Sequence, residues 1–110
     1  MSINNFQEAL PMPEKDRVML PLIDVKDDLK LVLAALPKGG MVPPHEAPYP
    51  ASVQLISGQI EALKGDTWHT LAQGERLVFD ERELHAVKAL ESSYFLVSHM
   101  RAQASNRQPR

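Results

Sequence analysis

Four histidines, His45, His69, His85 and His99, carry most of the chemical capacity of this 110-residue chain, which contains no cysteine. Without thiolates there is neither a disulfide framework nor a thiolate zinc cluster, so a metal site would have to use nitrogen and oxygen ligands. His45 stands in the most distinctive stretch, GGMVPPHEAPYPA at 39–51, where glycines and prolines precede it and small and ring residues follow. His85 lies in LHAVKAL, His99 in SSYFLVSHM, and His69 beside Trp68.

The bulk numbers narrow the function classes. A chain of this length is expected to form one domain and to bury about two-thirds of its unfolded surface, enough for a core without disulfides. The formal net charge is −2, and no cluster of lysine and arginine appears within the globular part, so the electrostatic footprint of a nucleic-acid binder is missing. The opening MSINNFQEALPMPEKDR lacks the charged-then-apolar order of a signal peptide, and no apolar run approaches the ~20 residues that span a bilayer. The expectation is a soluble, cytoplasmic protein that engages neither nucleic acid nor membrane.

Elements that could position these histidines follow from the apolar runs. Residues 1–16 are polar, carry Pro11 and Pro13, and read as an N-terminal arm; 101–110 read as a C-terminal tail; the domain is expected over 17–100. Within DDLKLVLAALPKGG, Leu29, Val32, Leu33 and Leu36 fit a helical face, whereas Leu29, Leu31 and Leu33 fit strand alternation. Beyond it the signals favour strands. SVQLISG stops at Gly58, Gly65-Asp66 separates two runs as a hairpin turn would, Gly74 precedes Leu77-Val78-Phe79, and SSYFLVSHM closes the domain. Turn signals every eight to sixteen residues point to an all-β sandwich or barrel.

With that spacing, the chain resembles the small single-domain cupins. Their first motif runs G-x5-H-x-H-x3or4-E-x6-G, and Gly39, His45 and Gly58 fit its frame; their second runs G-x5-P-x-G-x2-H-x3-N, and Gly74 and His85 fit that. The resemblance covers about residues 17–100. It implies an all-β cupin double-stranded β-helix, a jelly-roll β-barrel, and tips residues 29–36 to strand. The departures matter equally. Ala47 stands for the second histidine and Ala51 for the glutamate, while Asp80, Arg82 and Ala89 replace the proline, glycine and asparagine. Only His45 and His85 remain of the four ligand positions.

The resemblance places a pocket between His45 and His85. Two neutral imidazoles there would hold a divalent metal ion weakly, with His99 the preferred third ligand and Glu46, Tyr49 and His69 the other candidates. Alternation along the strands puts Glu46 outside, and His69 near a hairpin end suits a surface role. The plain alternative for each histidine is a side chain satisfied by a neighbour, by water or by backbone. With two alanines at ligand positions, the wall becomes apolar: Ala47, Ala51, Val53, Leu55, Ile60, Ala62, Phe79 and Val87. Tyr49 is expected at the rim. For a small-molecule ligand the named contacts are Tyr49, Val53, Phe79 and Val87, and the lining suits a small, moderately apolar compound.

Three functions compete on this reading. One is a metal-assisted enzyme, such as a dioxygenase or isomerase; the missing glutamate weighs against it. Another is a metal-free ligand module, a sensor or carrier, whose histidines hydrogen-bond the ligand. The third is a barrel with no retained chemistry. The resemblance also implies a homodimer, with VMLPLI as an exchanged or paired strand. The DERE run at 80–83 is expected as a solvated turn, and Met12, Met19, Met41 and Met100 as gap fillers in or near the core.

Overall fold

A computed structural model of the chain describes residues 5–101. The described residues form one short helix, α1 (Phe6–Ala9), and nine strands: β1 (Val18–Asp24), β2 (Leu29–Leu36), β3 (Met41–His45), β4 (Ala51–Ser57), β5 (Ile60–Lys64), β6 (Thr67–Leu71), β7 (Arg76–Phe79), β8 (His85–Ala89) and β9 (Ser93–Met100). They build two antiparallel sheets, ordered β1-β2-β9-β4-β7 and β3-β8-β5-β6. Residues 29–36 are a strand, and Gly65-Asp66 is the two-residue turn between β5 and β6. No described helix is long and apolar enough to cross a membrane.

The core lies between the sheets and is arranged in rows by the strand registers. On the inner face of the five-stranded sheet, Ala34, Phe95 and Leu55 form the deepest row, all essentially without solvent exposure. Above it run Val32, Val97, Val53 and Leu77, and above those Lys30, His99, Ala51 and Phe79. The facing sheet contributes Val42, Val87 and Ala62 as one row and the His45–His85 pair as another. Successive side chains on a strand alternate faces, so each row is a direct consequence of register.

The five-stranded sheet is apolar on its other face too. Leu33, Ala35 and Tyr94 are buried there beneath Leu10, with Phe6, Met12, Leu20, Ile56 and Leu96 packed around them. The stretch expected as an arm thus supplies a cover over its part from Phe6 to Met12. Asn5 caps α1 by accepting the Gln7 N–H (2.8 Å), the Phe6 ring meets Tyr94 edge-on at 4.9 Å, and the Tyr94 hydroxyl donates to the Leu10 carbonyl (2.8 Å). Arg101, in the stretch expected as a tail, is also tied down: its guanidinium bonds Asp24 (2.6 Å) and the Val25 carbonyl (3.0 Å), closing β9 onto the β1–β2 turn. The rest of that tail lies outside the described residues.

The methionines differ: Met12 packs against a buried cluster and Met19 borders the interior beside Ala34, while Met41 on the edge strand β3 and Met100 at the end of β9 are each about two-fifths exposed.

The start of β9 is held by a knot of polar groups. Ser93 has no solvent exposure; its hydroxyl receives the Gln59 N–H (3.0 Å) and donates to the Glu91 carbonyl (2.6 Å). Gly58 passes directly over it with φ +95°, and a Cβ there would collide with Ser93 Oγ and the Ser92 carbonyl. Gly58→Ala therefore combines left-handed backbone strain with overpacking. It is expected to destabilise the fold by about 2–4 kcal/mol in denaturant titration, whereas a cost below ~1 kcal/mol would show that the knot yields easily.

Candidate functional site

β3 and β8 bring His45 and His85 together as direct cross-strand partners. Their rings meet edge to face with centroids 4.1 Å apart. A register shift in β3 between Val42 and His45, where Pro43 and Pro44 interrupt the ladder, sets the pairing. His45 is exposed at the opening, while His85 is buried, its ring stacked on Phe79 at 4.6 Å and 21°. That stack crosses from one sheet to the other.

The ring nitrogens are assigned by their partners. Nδ1 of His45 lies 2.9 Å from the Pro43 carbonyl, and Nδ1 of His85 lies 2.9 Å from the Glu83 carbonyl. A carbonyl oxygen only accepts, so each Nδ1 carries the proton and donates it. In the neutral ring, Nε2 is left as a bare acceptor. Both imidazoles are thereby fixed in one tautomer by the backbone two residues upstream.

The loop before β8 supports His85. Glu83 Oε1 accepts from Lys64 Nζ (2.8 Å) and from the Asp80 N–H (2.9 Å), and Lys64 also donates to the Val78 carbonyl (2.6 Å). The Lys64 bond and then the Asp80 N–H hold the Glu83 carboxyl below its usual value. The acidic run is thus a hydrogen-bonded corner and more than a solvated turn. Arg82 in it adopts φ +63°, a conformation that costs a non-glycine residue about 1–2 kcal/mol. Its N–H bonds the Ala47 carbonyl at 2.6 Å, tying this corner to the loop after His45.

A cavity of about 380 Å3 opens beside the histidine pair. His45, His85 and His99 line it, as do Val53, Phe79, Val87 and Ala51, with Val32, Val42, Phe95 and Val97 completing the apolar wall. Tyr49 stands outside this lining, against the His99 ring at 5.5 Å. Ala47 sits in the loop between β3 and β4, and Leu55, Ile60 and Ala62 belong to the packed core without lining the cavity. Glu46 and His69 are exposed.

Lys30, Arg17 and Met19 also line the cavity and were missed from the sequence. The signal for Lys30 was present: it shares strand parity with Val32, Ala34 and Leu36, which face the interior.

The three histidines expected to hold a metal line one cavity, but only His45 and His85 are in direct contact. His99 projects from the five-stranded sheet, opposite the pair on the other sheet, and among the described residues no group of three His, Cys, Asp or Glu could hold an ion. Among the described residues no carboxylate lines the cavity. Two imidazoles alone do not fit the three or four protein ligands of a structural or catalytic site.

Burial also sets the protonation of the cavity histidines. Burial pushes the His85 imidazole below its ordinary 6.5; the hydrogen bond to the Glu83 carbonyl opposes, and His45 adds to the depression. Burial likewise lowers His99, followed by the charge of Lys30 and by smaller effects of His85, Arg101 and His45. The fold therefore takes up fewer protons than the unfolded chain below about pH 6.5. Stability from these groups is complete above that pH and is lost as pH falls through the lowered values. Glu83, being a depressed carboxyl, loses its contribution only at lower pH, below about 4.5. Thermal melts should show Tm falling between pH 7 and pH 5, with a smaller fall in a His85→Asn/His99→Gln variant; equal falls would remove the histidines as the cause.

No family model and no curated protein matches the sequence. Solved structures do match the fold. A conserved protein of unknown function from Streptococcus pyogenes superposes with a TM-score of 0.83 at 21% identity, covering 91% of this chain and 87% of that one. An RmlC-like cupin from Desulfovibrio desulfuricans gives 0.77 at 22% identity, covering 91% and 96%. A double-stranded β-helix protein from Klebsiella pneumoniae gives 0.78 at 17%, covering 94% and 93%. Together with the two-sheet topology and the His45–His85 pairing, these likenesses establish the fold of this chain as the cupin double-stranded β-helix.

Proposed function

We propose that this chain is a small-molecule-binding cupin in which the paired imidazoles grip the ligand directly. The observation that carries this is the shared tautomer: both Nδ1–H groups are spent on backbone carbonyls, and two Nε2 acceptors remain beside an apolar cavity. Such a pair is suited to a ligand hydroxyl or N–H, with the apolar body of the ligand against Val32, Val53, Val87 and Val97. The volume, about 380 Å3, is in the range of small-ligand sites. Because His85 is kept neutral by burial, it can also serve as a base toward the donor it accepts from, which leaves room for an enzymatic role.

The same Nδ1-to-carbonyl bonds favour a second reading, since metal-ligating histidines are held this way. Metal content separates the two. Protein purified without chelator, and then exposed to iron, manganese, nickel and zinc and desalted, should carry far less than one ion per chain by plasma mass spectrometry. Near-stoichiometric metal that disappears in a His45→Ala/His85→Ala variant would overturn the direct-grip reading.

A homodimer belongs to this proposal. β1 is an edge strand, and Val18, Met19, Leu22 and Ile23 on it are each more than a third exposed, a liability that pairing with a second copy would cover. Light scattering should give twice the chain mass, and Leu22→Lys/Ile23→Lys should shift it toward one chain mass; a monomeric wild type would sink the dimer.

A further inference from the structure

The polar groups of the cavity are distributed with one sign of charge. Lys30 stands on the inner face of β2, side by side with His99 on β9, and Arg17 reaches the same cavity from the residue before β1. Among the described residues no aspartate or glutamate lines it. The ion pairs seen among the described residues, Lys64–Glu83 and Arg101–Asp24, involve neither Lys30 nor Arg17. Beneath Lys30 the wall turns apolar at once, through Val32 and Val97.

Lys30 is partly buried, its stem on an apolar wall, and an anion entering the cavity would meet its charge in a surround less polar than water, which strengthens the attraction. From this placement we infer that the ligand is an anion, a small carboxylate with an apolar body, whose carboxylate lies against Lys30 on the five-stranded sheet while its hydrogen-bond donor meets His45 and His85 on the facing one. The inference rests on the small-molecule reading above and adds the charge and the polarity of the ligand. The two ends have different requirements: Lys30 supplies protons to an acceptor, and the bare Nε2 atoms accept from a donor. A carboxylate placed the other way round would face two acceptors. Burial first, and then the charge of Lys30, hold His99 below its ordinary value, in keeping with a positive charge beside it.

The test is a two-by-two set of probes: 4-hydroxybenzoate, benzoate, 4-hydroxybenzamide and benzamide, repeated with the 3-hydroxy isomers. Binding is read by calorimetry and by amide chemical shifts of Val32, Val97 and His99. The carboxylates should bind about tenfold or more tightly than their amides, as a charge-assisted contact would give. In Lys30→Gln, checked for an unchanged Tm, the carboxylate-to-amide ratio should fall to within about threefold. If the amides bind as well as the acids in the native protein, the anion inference is overturned while the small-molecule reading stands. If the acids win but Lys30→Gln keeps the ratio, Lys30 is not the anion's partner and the inference is overturned. If no probe shifts any cavity amide at millimolar concentration, the inference and the reading beneath it both fail.

Discussion

Strand β9 is hydrogen-bonded on both sides, to β2 and to β4, and the cavity exists only in that register. It aligns Lys30, His99 and Ala51 in one row and Val32, Val97 and Val53 in the next. A slip of one residue would turn His99 outward and bring Ser98 or Met100 inward, because side chains alternate strictly along a strand. The Ser93 knot under Gly58 fixes one end of β9 and the Arg101 clamp on the β1–β2 turn fixes the other. Both are polar devices placed at the ends of an apolar strand, where they set position without adding charge to the core.

The facing wall is governed by a different constraint. There the backbone itself dictates the chemistry: carbonyls two residues upstream hold both imidazoles and choose which nitrogen is protonated. The Lys64–Glu83 pair then fixes the corner that presents the Glu83 carbonyl, and the Arg82–Ala47 bond ties that corner to the loop following His45. A partly exposed ion pair of this kind contributes little to stability by itself. Its value lies in orientation, since His85 cannot turn without losing its carbonyl partner.

Much of this was legible in the residues. The spacing Gly39–His45 and Gly74–His85 locates two histidines that the fold makes cross-strand partners, and Gly65-Asp66 marks a real hairpin turn. The cavity wall was read in part, through Val53, Phe79, Val87 and Ala51. What escaped did so for a physical reason. β2 is apolar on both faces, because residues 6–12 cover the outer one, so Leu29, Leu31 and Leu33 drew the alternation away from Lys30 and Val32. Tyr49 and Ala47 sit in a loop where strand parity does not apply. The side on which His99 emerges depends on pairing with residues nearly fifty and seventy positions away, which no local pattern encodes.

The place of β9 in chain order bears on how the molecule is made. The strand that completes the binding wall is the last of the nine, and its partners were synthesised long before it. The bond from Tyr94 to Leu10 spans 84 residues. Contacts of such separation form late, after the entropy of closing large loops has been spent. Until β9 arrives, β2 and β4 present two unsatisfied edges and the cavity has no roof over its valines. Any species in which β9 is still unpaired would carry open strand edges and exposed apolar rows, so self-association would compete there with insertion of that strand.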